Sequence, residues 1–171
     1  MISILIPVYN FTIVDLVKNL HQQASSAGIV FEIICIDDKS EDTYRHNNNY
    51  IRCMPHVKYE ELSKNIGRSR IRNLLAKQAC YEQLLFLDCD SSILQDNFIQ
   101  QYLDHAKSDA IVYGGRNYEK KAPENKDYFF RWYYGVKRET TSAFTRKKHP
   151  YRSFMTNNFL IPKEVFLKYP N

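Results

Sequence analysis

Leu84-Leu85-Phe86-Leu87-Asp88-Cys89-Asp90 is the stretch from which the rest of this 171-residue chain can be read. Its first four residues form a continuous apolar run, the pattern of a strand buried on both faces. The run stops at two carboxylates with one residue between them. In open α/β sheets ligands gather outside the carboxyl ends of the strands, so this strand delivers two negative groups to a place where a ligand would sit. Side chains alternate along extended chain, which sends Asp88 and Asp90 one way and Cys89 back. Two hard oxygen ligands suit Mg²⁺ or Mn²⁺, ions commonly held by one or two carboxylates together with substrate phosphates. A strand that merely ends in a polar turn, Asp88-Cys89-Asp90-Ser91-Ser92, fits the same residues.

The flanking sequence repeats the pattern. Ile2 to Pro7 is a buried strand closed by Pro7, with Val8-Tyr9-Asn10 as its turn. Ile13, Leu16, Val17 and Leu20 recur at helical spacing, and Gly28 ends that helix. Phe31 to Ile36 is a second buried strand, stopping at Asp37-Asp38-Lys39-Ser40, and Ser40 with Thr43 marks a polar helix entry. Val57 to Glu60 is a short strand, Asn65-Ile66-Gly67 a turn, and Ser69 to Ala79 a helix with Ile71, Leu74 and Leu75 inward. After the focal strand come a helix from Asp96 to His105 and a strand from Ala110 to Tyr113, closed by Gly114-Gly115. Strands alternating with helices require an α/β fold with a mostly parallel sheet and right-handed crossovers.

Composition agrees with one soluble globular domain: 44% of residues are hydrophobic and 25% charged. No apolar run approaches the roughly 18 residues of a membrane-spanning helix. The first residues lack a basic region and a cleavage site, so they read as a strand and not a signal peptide. Cys35, Cys53, Cys80 and Cys89 lack metal-type spacing, and reduced thiols in a cytoplasmic setting are expected. The net charge of +5 is unevenly placed. Residues 116–152 hold eleven Lys/Arg against four Asp/Glu, whereas the remainder holds thirteen against fifteen. Such a basic segment is either a solvated face or a surface for phosphates or anionic lipid heads, with peripheral contact at the inner membrane face as one expectation. It carries no nucleic-acid-binding motif.

Beyond Gly115 the alternation is lost. Tyr128, Phe129, Phe130, Trp132, Tyr133 and Tyr134 form an aromatic cluster, expected as a helix packed on the sheet or near an acceptor. Residues 137–152 read as a basic loop without periodicity. Met155 to Ile161 is a strand, and Pro162 opens a short helix. The sequence stops at Tyr169-Pro170-Asn171 without a helix cap, as though cut.

Three strand ends carry polar signatures: Ile6-Pro7-Val8-Tyr9-Asn10, Ile36-Asp37-Asp38-Lys39-Ser40 and Leu87-Asp88-Cys89-Asp90. Between the second and third lies Asn65-Ile66-Gly67-Arg68-Ser69-Arg70-Ile71-Arg72-Asn73. With Gly114-Gly115 and Asn157-Asn158-Phe159-Leu160-Ile161, this order resembles the family-2 nucleotide-sugar glycosyltransferases over nearly the whole chain. The resemblance implies the GT-A fold, a Rossmann-like, mostly parallel central sheet flanked by helices. It implies a donor-binding part over residues 1–115 and the start of an acceptor-side part over 116–171. It implies an inverting transfer from a nucleotide diphosphate sugar, a uridine-linked one by the family's habit, to a saccharide or lipid-linked acceptor with Mn²⁺ or Mg²⁺. Pro7, Val8 and Tyr9 would cradle the base and Asp38 would accept its imide N–H. Arg72 would reach the base or the pyrophosphate, Asp88 the ribose and Asp90 the metal, with Cys89 beside them. Gly114, Gly115, Asn157 and Asn158 are the acceptor-side candidates.

Each residue has a plainer role open to it. Asp37 and Asp38 could cap the following helix, at least one of Arg68, Arg70 and Arg72 is a solvated charge, and the two asparagines could be strand-edge polars. One departure stands out. An inverting transferase needs a general base for the acceptor hydroxyl, and the family's downstream acidic motif is missing before Asn171; Glu164 sits at a helix start where capping suits it better. A non-catalytic nucleotide-sugar-binding domain is therefore an alternative. A haloacid-dehalogenase-like phosphatase, with Asp88 as nucleophile, is a weaker one, because its loop needs Gly-Thr where Ser91-Ser92 stands and an earlier place in the fold.

Overall fold

The apolar runs become the inner strands of one six-stranded sheet. The structure, a computed structural model, describes residues 1–106, 110–152 and 154–169. In chain order its elements are β1 (Ile2–Val8), α1 (Val14–Ser26), β2 (Phe31–Asp37), α2 (Asp42–Asn48), β3 (Val57–Glu61), α3 (Arg68–Gln78), β4 (Gln83–Leu87), α4 (Phe98–His105), β5 (Val112–Tyr113), α5 (Phe129–Tyr134), α6 (Ala143–Lys148), β6 (Asn158–Pro162) and α7 (Lys163–Lys168). The sheet order is β3-β2-β1-β4-β6-β5. Its β3–β2, β2–β1 and β1–β4 pairs are parallel, while β6 runs antiparallel to both β4 and β5. The fold is thus the mostly parallel α/β sheet that the alternation requires.

Both faces of the sheet are covered, which is why its central strands carry unbroken apolar runs instead of alternating ones. Ile2, Ile4, Ile6 and Val8 of β1 point to one face with Ile33 and Cys35 of β2 and Leu85 and Leu87 of β4; Val17 and Leu20 of α1 and Ile99 and Tyr102 of α4 close it. Leu5, Ile34, Ile36, Leu84 and Phe86 point to the other face, under Ile71 and Leu75 of α3 and Phe166 of α7. There Phe86 stacks on Phe159 at 5.1 Å and lies 4.7 Å from Phe166. Each fully buried Leu, Ile or Phe contributes about 1.5–3 kcal/mol, so the two layers hold the strand ends in place from both sides.

Pro7 does not close β1 but lies inside it, opposite Ile36. The hydrogen-bond parity explains why it is tolerated. Ile2 N–H donates to Val30 O, and Val8 O accepts from Asp38 N–H, so the even residues of β1 bond on the β2 side. The odd residues therefore face β4, whose pairing with β1 ends at Leu5–Phe86. Pro7 lacks an N–H where no strand asks for one.

Other expectations need correction. Ser40 does not open α2 as a cap; its hydroxyl accepts from Asn10 N–H at 2.8 Å, and Glu41 is the residue before the helix. The strand expected from Ala110 shortens to Val112–Tyr113, and the helix expected from Asp96 begins at Phe98. The aromatic cluster is not packed as core: Tyr128, Phe129, Phe130, Tyr133 and Tyr134 are all exposed. The basic stretch 137–152 is not all loop, since it contains α6, whose Ser142 accepts from Thr145 N–H as an N-cap. Pro170 and Asn171, where no helix cap was expected, lie outside the described residues.

Candidate functional site

The strand order turns back on itself beside β1, which has β2 on one flank and β4 on the other. That reversal leaves a crevice beyond the carboxyl ends of β1 and β4, the place where open α/β sheets bind ligands. A cleft of about 360 Å³ opens there. Its walls bring together Pro7, Val8 and Tyr9 from β1 and its turn, Asp38 after β2, Arg72 of α3, and Asp88, Cys89 and Asp90 after β4. All the residues assigned by resemblance to the donor and the metal therefore share one cavity, joined by Asn65, Gly67, Arg68 and Ile71.

The paired aspartates after β2 have divided roles. Asp37 is fully buried; its carboxylate accepts from Ser40 N–H at 2.6 Å and from the Tyr59 hydroxyl at 3.1 Å. It shapes the turn and does not face the cleft. Asp38 accepts Ile66 N–H at 2.7 Å on one oxygen and Gly67 N–H at 2.9 Å on the other, while Asn65 donates to its main-chain oxygen at 3.0 Å. Gly67 takes φ +86°, a conformation that favours glycine. Asp38 thus docks the 65–67 turn, and with it the start of α3, against the end of β2. Each carboxylate oxygen retains a second lone pair for a ligand.

After β4 the chain is not extended, as strand alternation would have it. Ser91 N–H donates to Asp88 O at 3.1 Å, closing a β-turn of the kind aspartate favours at its first position. The turn still presents Asp88 and Asp90 to one cleft. Asp88 is clamped by two arginines: Arg72 Nη2 bonds one oxygen and Arg68 Nη2 the other, the latter at 2.8 Å. The Asp88 main-chain N–H donates to Asn157 O at 2.8 Å. Arg72 is 5% exposed, Asp88 19% and Arg68 65%. Burial pulls the Arg72 guanidinium below its ordinary value against the attraction of Asp88. Burial likewise raises the Asp88 carboxyl, against the pull of Arg72 and Arg68. Both shifts oppose the charged forms, so the pair is held together at a desolvation cost. Burial also raises the Cys89 thiol, which keeps it neutral beside the core that it packs on.

Asp90 is exposed and forms no hydrogen bond or ion pair with the described residues. With Asp88 committed to arginines, the cleft offers one free carboxylate to a cation. Among the described residues no group of three His, Cys, Asp or Glu is gathered for a metal. This set does not fit a resident metal centre. It fits Mg²⁺ or Mn²⁺ arriving with phosphate oxygens, ions that need only one or two protein carboxylates.

Three of the four acceptor-side candidates, Gly114, Gly115 and Asn158, line a neighbouring cleft of about 470 Å³, and Asn157 does not. Asn158 accepts from the Tyr102 hydroxyl at 2.9 Å and donates to Gly115 O at 2.9 Å, tying β6 to α4 and to the glycine turn. Asn157 contributes its main-chain oxygen to Asp88; its Oδ1 is buried without a hydrogen-bond partner among the described residues.

Sequence reasoning overlooked three supports. Arg68 and Arg72 are four residues apart and share a helix face, whereas Arg70 falls elsewhere and is exposed; that spacing identifies the arginine pair. Asn48 is fully buried. Its amide accepts from Ile13 N–H at 2.9 Å and donates to Phe11 O at 2.8 Å, holding the loop after β1. Asn10, at φ +49°, accepts Glu41 N–H at 2.9 Å and completes the latch between the loops after β1 and β2. No periodicity marks Asn10 or Asn48.

Known proteins share both the sequence pattern and the fold. The profile of the family described as Glycosyl transferase family 2 matches residues 3–169. Among solved structures, S. aureus TarS 1-349 is 25% identical, with 72% of this chain and 40% of that one covered and a TM-score of 0.54. The same fragment in complex with UDP-GlcNAc matches equally, at 25% identity and TM-score 0.54 over 72% of this chain and 38% of that one. The mannosyltransferase PcManGT from Pyrobaculum calidifontis, in complex with GDP-Man and Mn²⁺, has 13% identity and a TM-score of 0.63 over 96% of this chain and 45% of that one. This chain therefore spans less than half the length of each. No curated protein is a significant match.

Proposed function

This chain belongs to glycosyl transferase family 2, and from that premise we propose that it takes a nucleotide diphosphate sugar, carried on uridine diphosphate, into the cleft between β1 and β4. The sugar passes with inversion to a saccharide or lipid-linked acceptor. The observation that carries this reading is the meeting of three strand ends, distant in sequence, in one cavity with a single uncommitted carboxylate. The TarS fragment, at 25% identity, is a structure with UDP-GlcNAc bound, which supports the uridine assignment.

Pro7, Val8 and Tyr9 form the wall for the base, and Asp38 accepts from its imide with the lone pairs that the 65–67 turn leaves free. Asp88, fixed by Arg72 and Arg68, accepts from the ribose. Arg68, the more exposed arginine, extends toward the diphosphate. Asp90 holds Mn²⁺ or Mg²⁺, which when bound supplies Lewis-acid stabilisation of the leaving diphosphate. In the transfer an acceptor oxygen forms a bond to the anomeric carbon while the bond from that carbon to the diphosphate oxygen breaks. The electron pair leaves with the diphosphate and the acceptor proton goes to a base. Asp38, Asp88 and Asp90 all have other duties, so we assign the base to none of them.

Gly114, Gly115, Asn157 and Asn158 border the acceptor. The division at residue 115 is one of roles, because β6 from the later part sits in the sheet between β4 and β5. Among the described residues no helix is long and apolar enough to cross a membrane. We place the protein in the cytoplasm, with the basic, ring-bearing 116–152 segment touching the inner membrane face. A thermal-shift series with UDP, UDP-GlcNAc, GDP and ADP, each with and without Mn²⁺, tests the donor assignment. A uridine donor at a hundredfold excess over its Kd stabilises the fold by about 2.7 kcal/mol; no shift with any nucleotide contradicts the reading.

A further inference from the structure

The second cleft begins at Ser92, just past Asp90, and no Asp or Glu lines it. Two arginines do, Arg116 and Arg146. Arg146 is seated with care. Its guanidinium lies 5.2 Å above the Tyr113 ring and donates to Thr141 O and, at 3.4 Å, to Gly114 O. Gly115 makes room for it: a Cβ there would come 2.7 Å from the guanidinium carbon, and φ is +86°. Arg146 forms no ion pair with the described residues, and two of its five N–H donors are used. Arg116 lies 3.5 Å from Glu139, which it shares with Arg131 at 3.0 Å and with the Tyr118 hydroxyl. One carboxylate cannot neutralise two guanidinium groups. The cleft therefore faces an excess of positive charge on planar guanidinium groups, with Thr140, Thr141 and Ser142 among its lining residues.

We propose that this cleft binds an anionic substituent of the acceptor, a phosphoryl or carboxylate group, so that the acceptor is a charged saccharide or polyol and not a neutral one. The inference rests on the donor reading for the neighbouring cleft. Arginine forks match both anions in a two-point geometry, and an oxyanion here would offset the positive charge that the two arginines bring to the cleft. An acceptor so anchored lies beside Asp90, where the reading above places the donor diphosphate.

The test is a titration of the full chain followed by the backbone amide signals of Gly115, Asn117 and Thr141. Glycerol 3-phosphate is compared with glycerol, and glucuronate with glucose, and UDP binding is measured on the same samples. Saturable shifts with either charged probe and none with its neutral counterpart are expected, and the stronger charged arm identifies the anion. Arg146→Gln and Arg116→Gln each weaken that binding roughly tenfold, while UDP affinity changes less than twofold. Arg146→Lys, which keeps the charge and loses the fork, should lie between wild type and Arg146→Gln. Equal binding of charged and neutral probes overturns the proposal, as do charged probes that shift Gly67 and Ile71 instead, or an equal loss of UDP affinity in the variants. Failure of UDP to bind wild-type protein, with the charged-probe result intact, would count against the donor reading alone.

Discussion

Replacing Asp88 by Asn and Arg72 by Met, singly and together, separates what the clamp does for stability from what it does for position. Arg72 is 5% exposed and has Asp88 as its carboxylate partner; its Nη2 also donates to Thr156 O at 3.3 Å, and its Nε has no partner among the described residues. Asp88→Asn therefore leaves a buried cation uncompensated, a change that costs about 3–5 kcal/mol. Arg72→Met is milder. Asp88 is 19% exposed and keeps Arg68 at 2.8 Å, so the loss is about 1–2 kcal/mol. In the double variant both charges are gone, and the cost should fall near that of Arg72→Met, so the coupling equals the Asp88→Asn cost, about 3–5 kcal/mol. The assay is urea unfolding of the four proteins without nucleotide, extrapolated with a common slope. By thermal melting the Asp88→Asn protein should lie about 6 °C or more below wild type. The reasoning is refuted if the single effects add to within about 0.5 kcal/mol, or if Arg72→Met costs more than Asp88→Asn.

Gly114→Ala should cost roughly 1–3 kcal/mol, because the new Cβ would run into the Tyr102 hydroxyl and come 2.5 Å from Asn158 Oδ1; a melting curve unchanged from wild type would contradict that packing. Glu139 offers a pH test. Burial raises its carboxyl, but hydrogen bonds from Arg131 and Tyr118 and the charge of Arg116 outweigh this and hold it below its ordinary value of 4.5. A depressed carboxylate contributes stability that is whole above the unfolded value and lost as pH falls through the folded one. Stability measured from about pH 6 to about pH 3 should thus decline less steeply in Glu139→Gln, and identical slopes would show that Glu139 contributes nothing. The exposed rings and surplus cations of 116–152 should bring the chain down with phosphatidylglycerol vesicles and not with phosphatidylcholine vesicles, an attraction that about 0.5 M salt removes; equal sedimentation with both would exclude a charge-led contact.

The sheet was legible because burial on both faces leaves an unmistakable trace. The helical spacings between the runs Ile2–Pro7, Phe31–Ile36 and Leu84–Leu87 made their parallel pairing legible, though not their order in the sheet. The cleft was legible because its polar residues stand at the ends of those runs. Three parts were not. Asp88-Cys89-Asp90 follows turn geometry set by the Asp88–Ser91 hydrogen bond, which residue alternation does not encode. Asn48 and Asn10 act through side chain to backbone bonds across the 10–48 interval, and a single asparagine carries no sign of its distant partner. Residues 116–152, between β5 and β6, lack buried apolar periodicity. Most of the segment's aromatics are exposed, and its order comes from charge and cation–ring contacts around the half-buried Tyr118 and Glu139, which sequence spacing cannot place.

The central claim is that a cation joins Asp90 to the diphosphate of a nucleotide held between β1 and β4. Calorimetric titration of UDP into wild-type and Asp90→Asn protein, each with Mn²⁺ and with EDTA, tests it most directly. EDTA should weaken UDP binding to wild type by roughly tenfold or more, and Asp90→Asn should bind at this weaker level whether or not Mn²⁺ is present. Equal UDP affinity in wild-type protein with Mn²⁺ and with EDTA, or full Mn²⁺ dependence retained in Asp90→Asn, would contradict it.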